Sequence, residues 1–193
     1  GEIIWYESFG SKYADLAYDL KISKLNQIIV AGAFQDTLVL EQDTIISSGG
    51  FDGFLMNFDV NGNLKWMKNI ISGEGVNYQV ISSIQFDFNE NILFSGFFKS
   101  EAYFSKDTLY TQRTDDIVLG KLDPNGVSVW IKSFGSNNPN SRIINISSTN
   151  TGYIFQGNYM DTLFVDGDTI LSKANNFDGF LVKTNFNGIK EWV

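Results

Sequence analysis

Hydrophobic and polar positions along the chain form short strand-like runs that recur in three units. Apolar and polar residues alternate in the first run of each unit, and apolar residues are nearly continuous in the second. No helical period of useful length occurs, so these runs predict β-strands, the second of them buried on both faces. The first runs are 17–22, 80–86 and 142–147, and the second runs are 27–34, 91–98 and 152–159.

The third and fourth runs of each unit form a predicted hairpin around an Asn-Gly pair. Asn-Gly between two apolar runs predicts a two-residue turn, because both of its turn positions need a positive φ. An aspartate begins the third run and a tryptophan ends the fourth. These repeat-structural residues are Asp52, Asp116 and Asp178, and Trp66, Trp130 and Trp192.

The tryptophans set the period of the repeat. Counted from Trp5, they are 61, 64 and 62 residues apart, a period typical of solenoids or propellers. Four antiparallel strands that are apolar on both faces predict β-propeller blades, whereas the rungs of a β-solenoid, the alternative, are usually shorter. We predict one all-β repeat domain, 1–193, with 1–10 as the outer strand of a preceding blade and with blades at 11–71, 72–135 and 136–193.

Three blades are too few for a closed ring, because a propeller needs about four to eight. We therefore expect an incomplete ring or part of a larger propeller. The expected partners are other repeats of the same or a larger chain, or further copies of this chain that complete a ring.

The composition limits the kinds of catalytic and binding site that the chain can form. The chain has no cysteine and no histidine, which excludes disulfides, thiolate nucleophiles and imidazole bases, and we expect no cofactor, no metal and no catalytic residue. Fourteen basic residues against 22 acidic ones give a net charge of −8 without a basic cluster, so nucleic acid is not an expected partner. No apolar run reaches the length of about 18 residues that a membrane span needs, so we expect no membrane insertion.

The order of the motifs resembles a known repeat. The motifs occur in the order tryptophan, Phe-Gly (as in Phe9-Gly10 and Phe134-Gly135), a buried strand with a glycine, the aspartate and Asn-Gly. This order is similar to that of the bacterial β-propeller repeat family called SBBP. The resemblance covers nearly the whole chain. It implies a large exported protein of Bacteroidetes, commonly one that ends in a type IX secretion sorting domain, with an extracellular or cell-surface location. It implies no catalytic residue.

An Asp-Thr-aliphatic motif occurs five times between the second and third runs. It resembles the acceptor motif of protein O-glycosylation in Bacteroidetes, which would place sugars on exposed hydroxyls. A turn aspartate that leads into a β-branched strand residue is also ordinary hairpin chemistry. The candidate residues are Thr37, Thr44, Thr108, Thr162 and Thr169.

The recurring aspartates allow two interpretations. Repeated around an axis, their carboxylates could line a cation or sugar site. Alternatively, each carboxylate accepts backbone N–H groups where its strand begins and ties one blade to the next, which is the interpretation we favour. The stretch from Asp59 to Asn63 spaces its oxygens like the start of a calcium loop, but a hairpin turn explains it and its two equivalents better.

Two functions from different classes follow. The leading hypothesis is a non-catalytic propeller segment of a large secreted or cell-surface bacterial protein, with a structural or adhesin-like interaction role toward a surface protein or glycan. The competing hypothesis is a carboxylate-based carbohydrate-active enzyme or glycan-binding module with its site in the propeller channel. A pocket that gathers two or more carboxylates near one end of the axis would favour the second.

Overall fold

The computed structural model describes residues 1–173 and 176–193, without the side chains of residues 76 and 112–114. Within that part the chain forms sixteen β-strands and no helix, so the all-β prediction is confirmed. Accordingly, the described residues include no helix long and apolar enough to cross a membrane.

The first unit folds into four antiparallel strands that pair in chain order, with a two-stranded hairpin inserted after the second strand. The strands of this first sheet are β1 (Leu16–Ile22), β2 (Ile28–Phe34), β5 (Gly49–Phe58) and β6 (Leu64–Ile71), and the inserted hairpin is β3 (Thr37–Leu40) with β4 (Asp43–Ile46).

The second and third units repeat this arrangement. In the second sheet the inserted hairpin is continuous with the two middle strands, which are longer for that reason. The second sheet consists of β7 (Gly75–Phe86), β8 (Ile92–Phe104), β9 (Asp107–Leu122) and β10 (Ser128–Ser136). The third consists of β11 (Arg142–Thr149), β12 (Gly152–Tyr159), β15 (Asp178–Thr184) and β16 (Lys190–Trp192), with the hairpin β13 (Thr162–Val165) and β14 (Asp168–Leu171).

The hydrophobic core lies between successive sheets. Leu55 of the first sheet shares a buried cluster with Phe94 of the second, and Leu119 of the second shares another with Phe155 of the third. A third cluster lies on the other side of the first sheet, where Phe9 packs against it. Two of the three buried clusters therefore join neighbouring units, and short backbone pairings of β5 with β7 and of β10 with β13 link them as well.

A recurring glycine in the second strand of every sheet faces a bulge in the first strand. The bulges follow Ala17, Ile81 and Ile143, and these residues pair with Gly32, Gly96 and Gly157. A Cβ on those glycines would lie 2.0, 1.7 and 2.2 Å from a carbonyl oxygen of the first strand. An interior strand glycine is typical of a bulge or a close backbone approach, and both features occur at each of these three.

The Asn-Gly hairpins form, but the predicted two-residue turn is wrong. Only the glycine of each pair has a positive φ, of 86°, 72° and 73° at Gly62, Gly126 and Gly188. The N–H of Gly62 donates to the carbonyl of Asp59, and the Asp59 N–H donates to the carbonyl of Asn63. This is a three-residue loop that ends in a left-handed glycine. The Asp59 carboxylate selects it by accepting the N–H groups of Asn61 and Asn63.

Two further details differ from the prediction. The fourth strands of the first two sheets do not end on the tryptophan, because β6 and β10 continue for several residues and bury Ile71 and Phe134, whereas β16 ends at Trp192 as predicted. Burial on both faces is confirmed in the first two sheets but is wrong for the third, where Gln156, Asn158 and Leu181 are exposed. No further sheet covers that face within the described chain.

The close backbone approach at Gly96 gives a direct test of the fold. Alanine at this position would place its Cβ 1.7 Å from the Val80 carbonyl oxygen, so the strands must separate. We expect Gly96→Ala to lower the free energy of unfolding by about 2 kcal/mol or more, measured by urea denaturation. Gly179→Ala is the matched control, because its nearest contact would be 3.9 Å away. Equal losses in the two variants would contradict the bulge geometry.

Candidate functional site: the contact between successive sheets

The recurring tryptophan packs on the Asn-Gly turn of the following sheet. Each turn glycine is buried, and a side chain at its position would collide with the indole. The glycine therefore both makes the turn and accommodates the ring. The pairs, with the distance from the ring to the point where a Cβ would stand, are Trp5–Gly62 (2.8 Å), Trp66–Gly126 (3.0 Å) and Trp130–Gly188 (3.0 Å).

Hydrogen bonds complete this contact. The Trp5 Nε1–H donates to the Val60 carbonyl at 3.0 Å, and the Trp130 Nε1–H donates to the Phe186 carbonyl at 3.1 Å. At the middle contact, Lys68 Nζ lies over the Trp66 ring and donates to the carbonyls of the turn. The same surface is thus built three times from one sequence motif.

The end of each fourth strand makes a second recurring contact, with the inserted hairpin of the next sheet. Gly10 pairs with Val39, and Ser72 pairs with Tyr103 through two backbone hydrogen bonds. At the third position β10 pairs with β13 from Gly135 to Ser136. At the first and third contacts the Phe-Gly pair therefore lies where one sheet meets the hairpin of the next, and Ile70-Ile71 takes its place before the second contact.

The recurring aspartates lie in the third strands, where Asp178 begins β15, whereas Asp52 and Asp116 lie within β5 and β9. Asp52 is fully buried and accepts hydrogen bonds from the Ser48 N–H, the Asn69 side-chain amide and the N–H of Gly73, which starts the second unit. Burial raises the pKa of Asp52, and these hydrogen bonds oppose that rise. Asp116 is buried as well, and Asp178 accepts the Lys173 N–H at 2.7 Å. At Asp52 the carboxylate thus links two units.

The third sheet carries an uncovered copy of the same surface. Trp192 is 44% exposed, whereas Trp66 and Trp130 are half-buried against the sheet that follows them. Leu181 is 50% exposed, whereas its equivalents in the other sheets, Leu55 and Leu119, are buried. Both differences arise at the face that no described sheet covers.

The five candidate threonines divide into two groups. Thr44, Thr108 and Thr169 follow the turn of the inserted hairpins and are exposed. Thr37 is half-buried and Thr162 is buried, and both hydroxyls donate to the carboxylate of the preceding aspartate. The structure therefore gives a modifying enzyme clear access only to the first group.

Three buried polar residues that the sequence analysis missed join the second sheet to the third. Lys121 Nζ lies 3.1 Å from Asp87 Oδ2 and donates to the Tyr153 hydroxyl at 2.8 Å, and that hydroxyl donates to Asp87 at 2.9 Å. Lys121 stands in the third run of its unit, which carries the apolar Val118 and Leu119 on opposite faces, and a buried lysine needs a partner. The sequence therefore indicated that Lys121 needs an anionic or polar partner, but it did not identify Asp87 as that partner.

The Asp87 side chain is held by more donors than these two. Its carboxylate also accepts the N–H groups of Asn89 and Asn91 and the Asn91 side-chain amide. Burial acts to raise the pKa of Asp87, but the hydrogen bonds from Asn91, Tyr153 and Lys121 together lower it below its usual value. Asp87 is therefore a structural anion rather than an acid that is poised to donate a proton.

One small cleft brings two carboxylates together. It has a volume of about 330 Å³ and is lined by residues of all three sheets, among them Ser23, Asp87, Glu90 and Ser147. Glu90 Oε2 accepts the Lys24 N–H, so this carboxylate also links two sheets. In the part of the chain that is described, no three acidic side chains are arranged to hold a metal ion.

Comparison of the sequence with protein-family models and with curated proteins finds no match.

The Asp87–Lys121 pair predicts a pH-dependent stability. Because the pKa of Asp87 is lowered in the folded chain, its contribution is complete above the unfolded-state value near 4 and is lost as the pH falls through the folded value. Asp87→Asn leaves Lys121 without its anionic partner, so we expect it to lower the free energy of unfolding by about 3 kcal/mol at pH 7 and by less at pH 3, where the unfolded chain already takes up a proton at Asp87.

Urea denaturation at the two pH values measures this difference. Asp43→Asn, at an exposed position, is the control and should change stability little at either pH. A loss at Asp87→Asn that is the same at pH 7 and pH 3 would contradict an ionised pair.

Proposed function

We propose that this chain is a non-catalytic β-propeller segment whose units stack face to face as blades, and that its role is structural and adhesive. The observation that carries the proposal is the contact between sheets, which the chain builds three times with the same residues. A module that repeats one interface is suited to extend or close an array and to present its outer surface to a partner.

The hydrogen bonds of the recurring carboxylates support a non-catalytic role. Asp52 accepts hydrogen bonds from its own and the next unit, and Asp59 accepts those of its own turn. The Asn63 amide and the nearby Lys65 lower the pKa of Asp59. These carboxylates are engaged in holding turns and sheets, which leaves little of their capacity for a substrate.

The resemblance to SBBP repeats extends the proposal to a setting. We propose an exported or cell-surface bacterial protein, in which Thr44, Thr108 and Thr169 are the glycosylated threonines because their hydroxyls are exposed. Sugars at these three positions would cover the tips of the inserted hairpins and leave the contacts between sheets free. The intact mass of the protein isolated from its natural host tests the modification.

A second candidate is a glycan-binding or glycan-cleaving site in the cleft of Asp87 and Glu90. Two carboxylates of the turn between β7 and β8 line this cleft, which favours the second candidate. The lowered pKa of Asp87 argues against its use as a general acid, because glycoside hydrolysis needs a carboxyl group that stays protonated near neutral pH. Retention on immobilised oligosaccharides that Glu90→Gln abolishes would favour this candidate over the structural one.

The stacking proposal is tested by adding one unit to the chain. Residues 132–193 are joined after Val193, so that the motif continues in phase and a new Asn-Gly turn can cover Trp192. We expect a single cooperative transition in urea and a gain of about 2 kcal/mol or more in the free energy of unfolding, as for burying an aromatic side chain.

The matched control is the same extended chain with Gly188→Val in the added unit only. Valine at this turn meets both the indole and a positive φ, so it should remove the gain. Stacking would be contradicted if the added unit unfolded in a separate transition and the transition of the original chain stayed unchanged.

A further inference from the structure

We propose that the three Asn-Gly turns are sites of deamidation, and that the tryptophan of the preceding unit holds the reaction back at each of them. The sites are Asn61, Asn125 and Asn187. The inference goes beyond the proposed role of the chain, because it needs only the contact between tryptophan and turn. A turn that keeps its indole keeps its asparagine.

The reaction uses atoms that the turn itself supplies, together with water. The glycine nitrogen gives up its proton and forms a bond to Cγ of the asparagine, the bond from Cγ to Nδ2 breaks, and ammonia leaves. Water then opens the five-membered imide ring and gives aspartate or isoaspartate. Glycine after the asparagine favours ring closure, because it has no side chain to obstruct the approach of its nitrogen.

The exposure of the turn residues favours the reaction on the side-chain side. Each of the three asparagines is exposed, so water reaches it and ammonia can leave, whereas the glycine that follows is buried. The rate is therefore limited by the movement of the backbone between the two residues.

The turn geometry withholds the glycine nitrogen. In each loop the glycine N–H donates to the carbonyl of the residue three positions earlier, at 3.0 Å in the first two turns and 3.1 Å in the third. A type I turn followed by a left-handed glycine gives the asparagine a ψ of about 0°. The imide ring needs the glycine nitrogen turned toward the asparagine Cβ, which takes ψ far from that value. The hydrogen bond must therefore break before the ring can close.

The first residue of each loop adds a second restraint. Oδ1 of Asp59 accepts the Asn61 N–H at 2.9 Å, and the other two loops repeat this bond at the same distance. The backbone is thus held on both sides of the asparagine, and its rotation requires the loop to open.

The tryptophan of the preceding unit is the third restraint. The indoles of Trp5, Trp66 and Trp130 lie against the turn glycines, with ring atoms 2.8–3.0 Å from the point where a Cβ would stand. Rotation of the Asn-Gly peptide would move the buried glycine backbone against the ring. The indole must therefore leave first, so the free energy that opens the contact adds to the barrier of the reaction.

The main product prevents the contact from forming again. Isoaspartate carries the main chain through its side-chain methylene, which lengthens the loop by one backbone atom, and the loop length sets the position of the left-handed glycine. Each event also adds one negative charge to a chain whose net charge is −8. A contact that opens for long enough is therefore lost permanently.

Single tryptophan variants test the assignment, because each indole covers one turn. The protein is kept in warm, mildly alkaline buffer, and deamidation is followed by mass spectrometry of tryptic peptides. Trypsin places the three asparagines in separate peptides, 25–65, 122–132 and 184–190. We expect Trp5→Ala to speed the loss of Asn61 about tenfold or more, with Asn125 and Asn187 unchanged. Tyr6→Ala, at an 81% exposed position of the same segment, is the matched control and should change no rate.

Trp130→Ala is the reciprocal variant and should speed the reaction at Asn187 alone. In concentrated guanidinium chloride, where every contact is open, all three asparagines should react fast and at similar rates. Equal rates for the folded and the unfolded wild-type protein would overturn the inference. An unchanged rate at Asn61 in Trp5→Ala, or equal acceleration of all three turns in that variant, would overturn it as well.

Discussion

The structure depends on one constraint, which is that the apolar faces of its sheets must be covered by neighbouring parts of the chain. Leu55 and Phe94 meet from opposite sides of the first interface, and Leu119 and Phe155 meet in the second. A four-stranded sheet with two apolar faces cannot be stable alone in water, because both faces would be exposed. Stability is therefore a property of neighbouring pairs.

Specificity comes from the features that set the distance and angle between sheets. A glycine opposite a bulge brings the first two strands of each sheet close together, and a turn glycine admits the indole of the preceding unit. Polar groups complete these contacts, as in the buried set of Asp87, Lys121 and Tyr153. Such a set stabilises only when every partner is present, so it favours one arrangement of the second and third sheets over alternatives.

Much of this could be predicted from the sequence, because the repeat shows each pattern three times. The strands, the bulge glycines and the hairpins follow from local periodicity and turn chemistry. The turn type did not, since the Asp59 carboxylate selects a longer loop than Asn-Gly alone predicts. The partner of each tryptophan and the pairing of Lys121 with Asp87 also could not be predicted, because they join residues of different units and depend on how the sheets are placed.

The contact between tryptophan and turn is the part of the account on which both proposals depend, and it can be measured in the unaltered protein. Hydrogen exchange of the indole N–H groups, followed by NMR in a dilute monomeric sample, compares Trp130 with Trp192. Trp130 donates to the Phe186 carbonyl and packs on Gly188, so its N–H should exchange at least about tenfold more slowly than that of the exposed Trp192. Equal exchange rates at the two indoles would contradict the account.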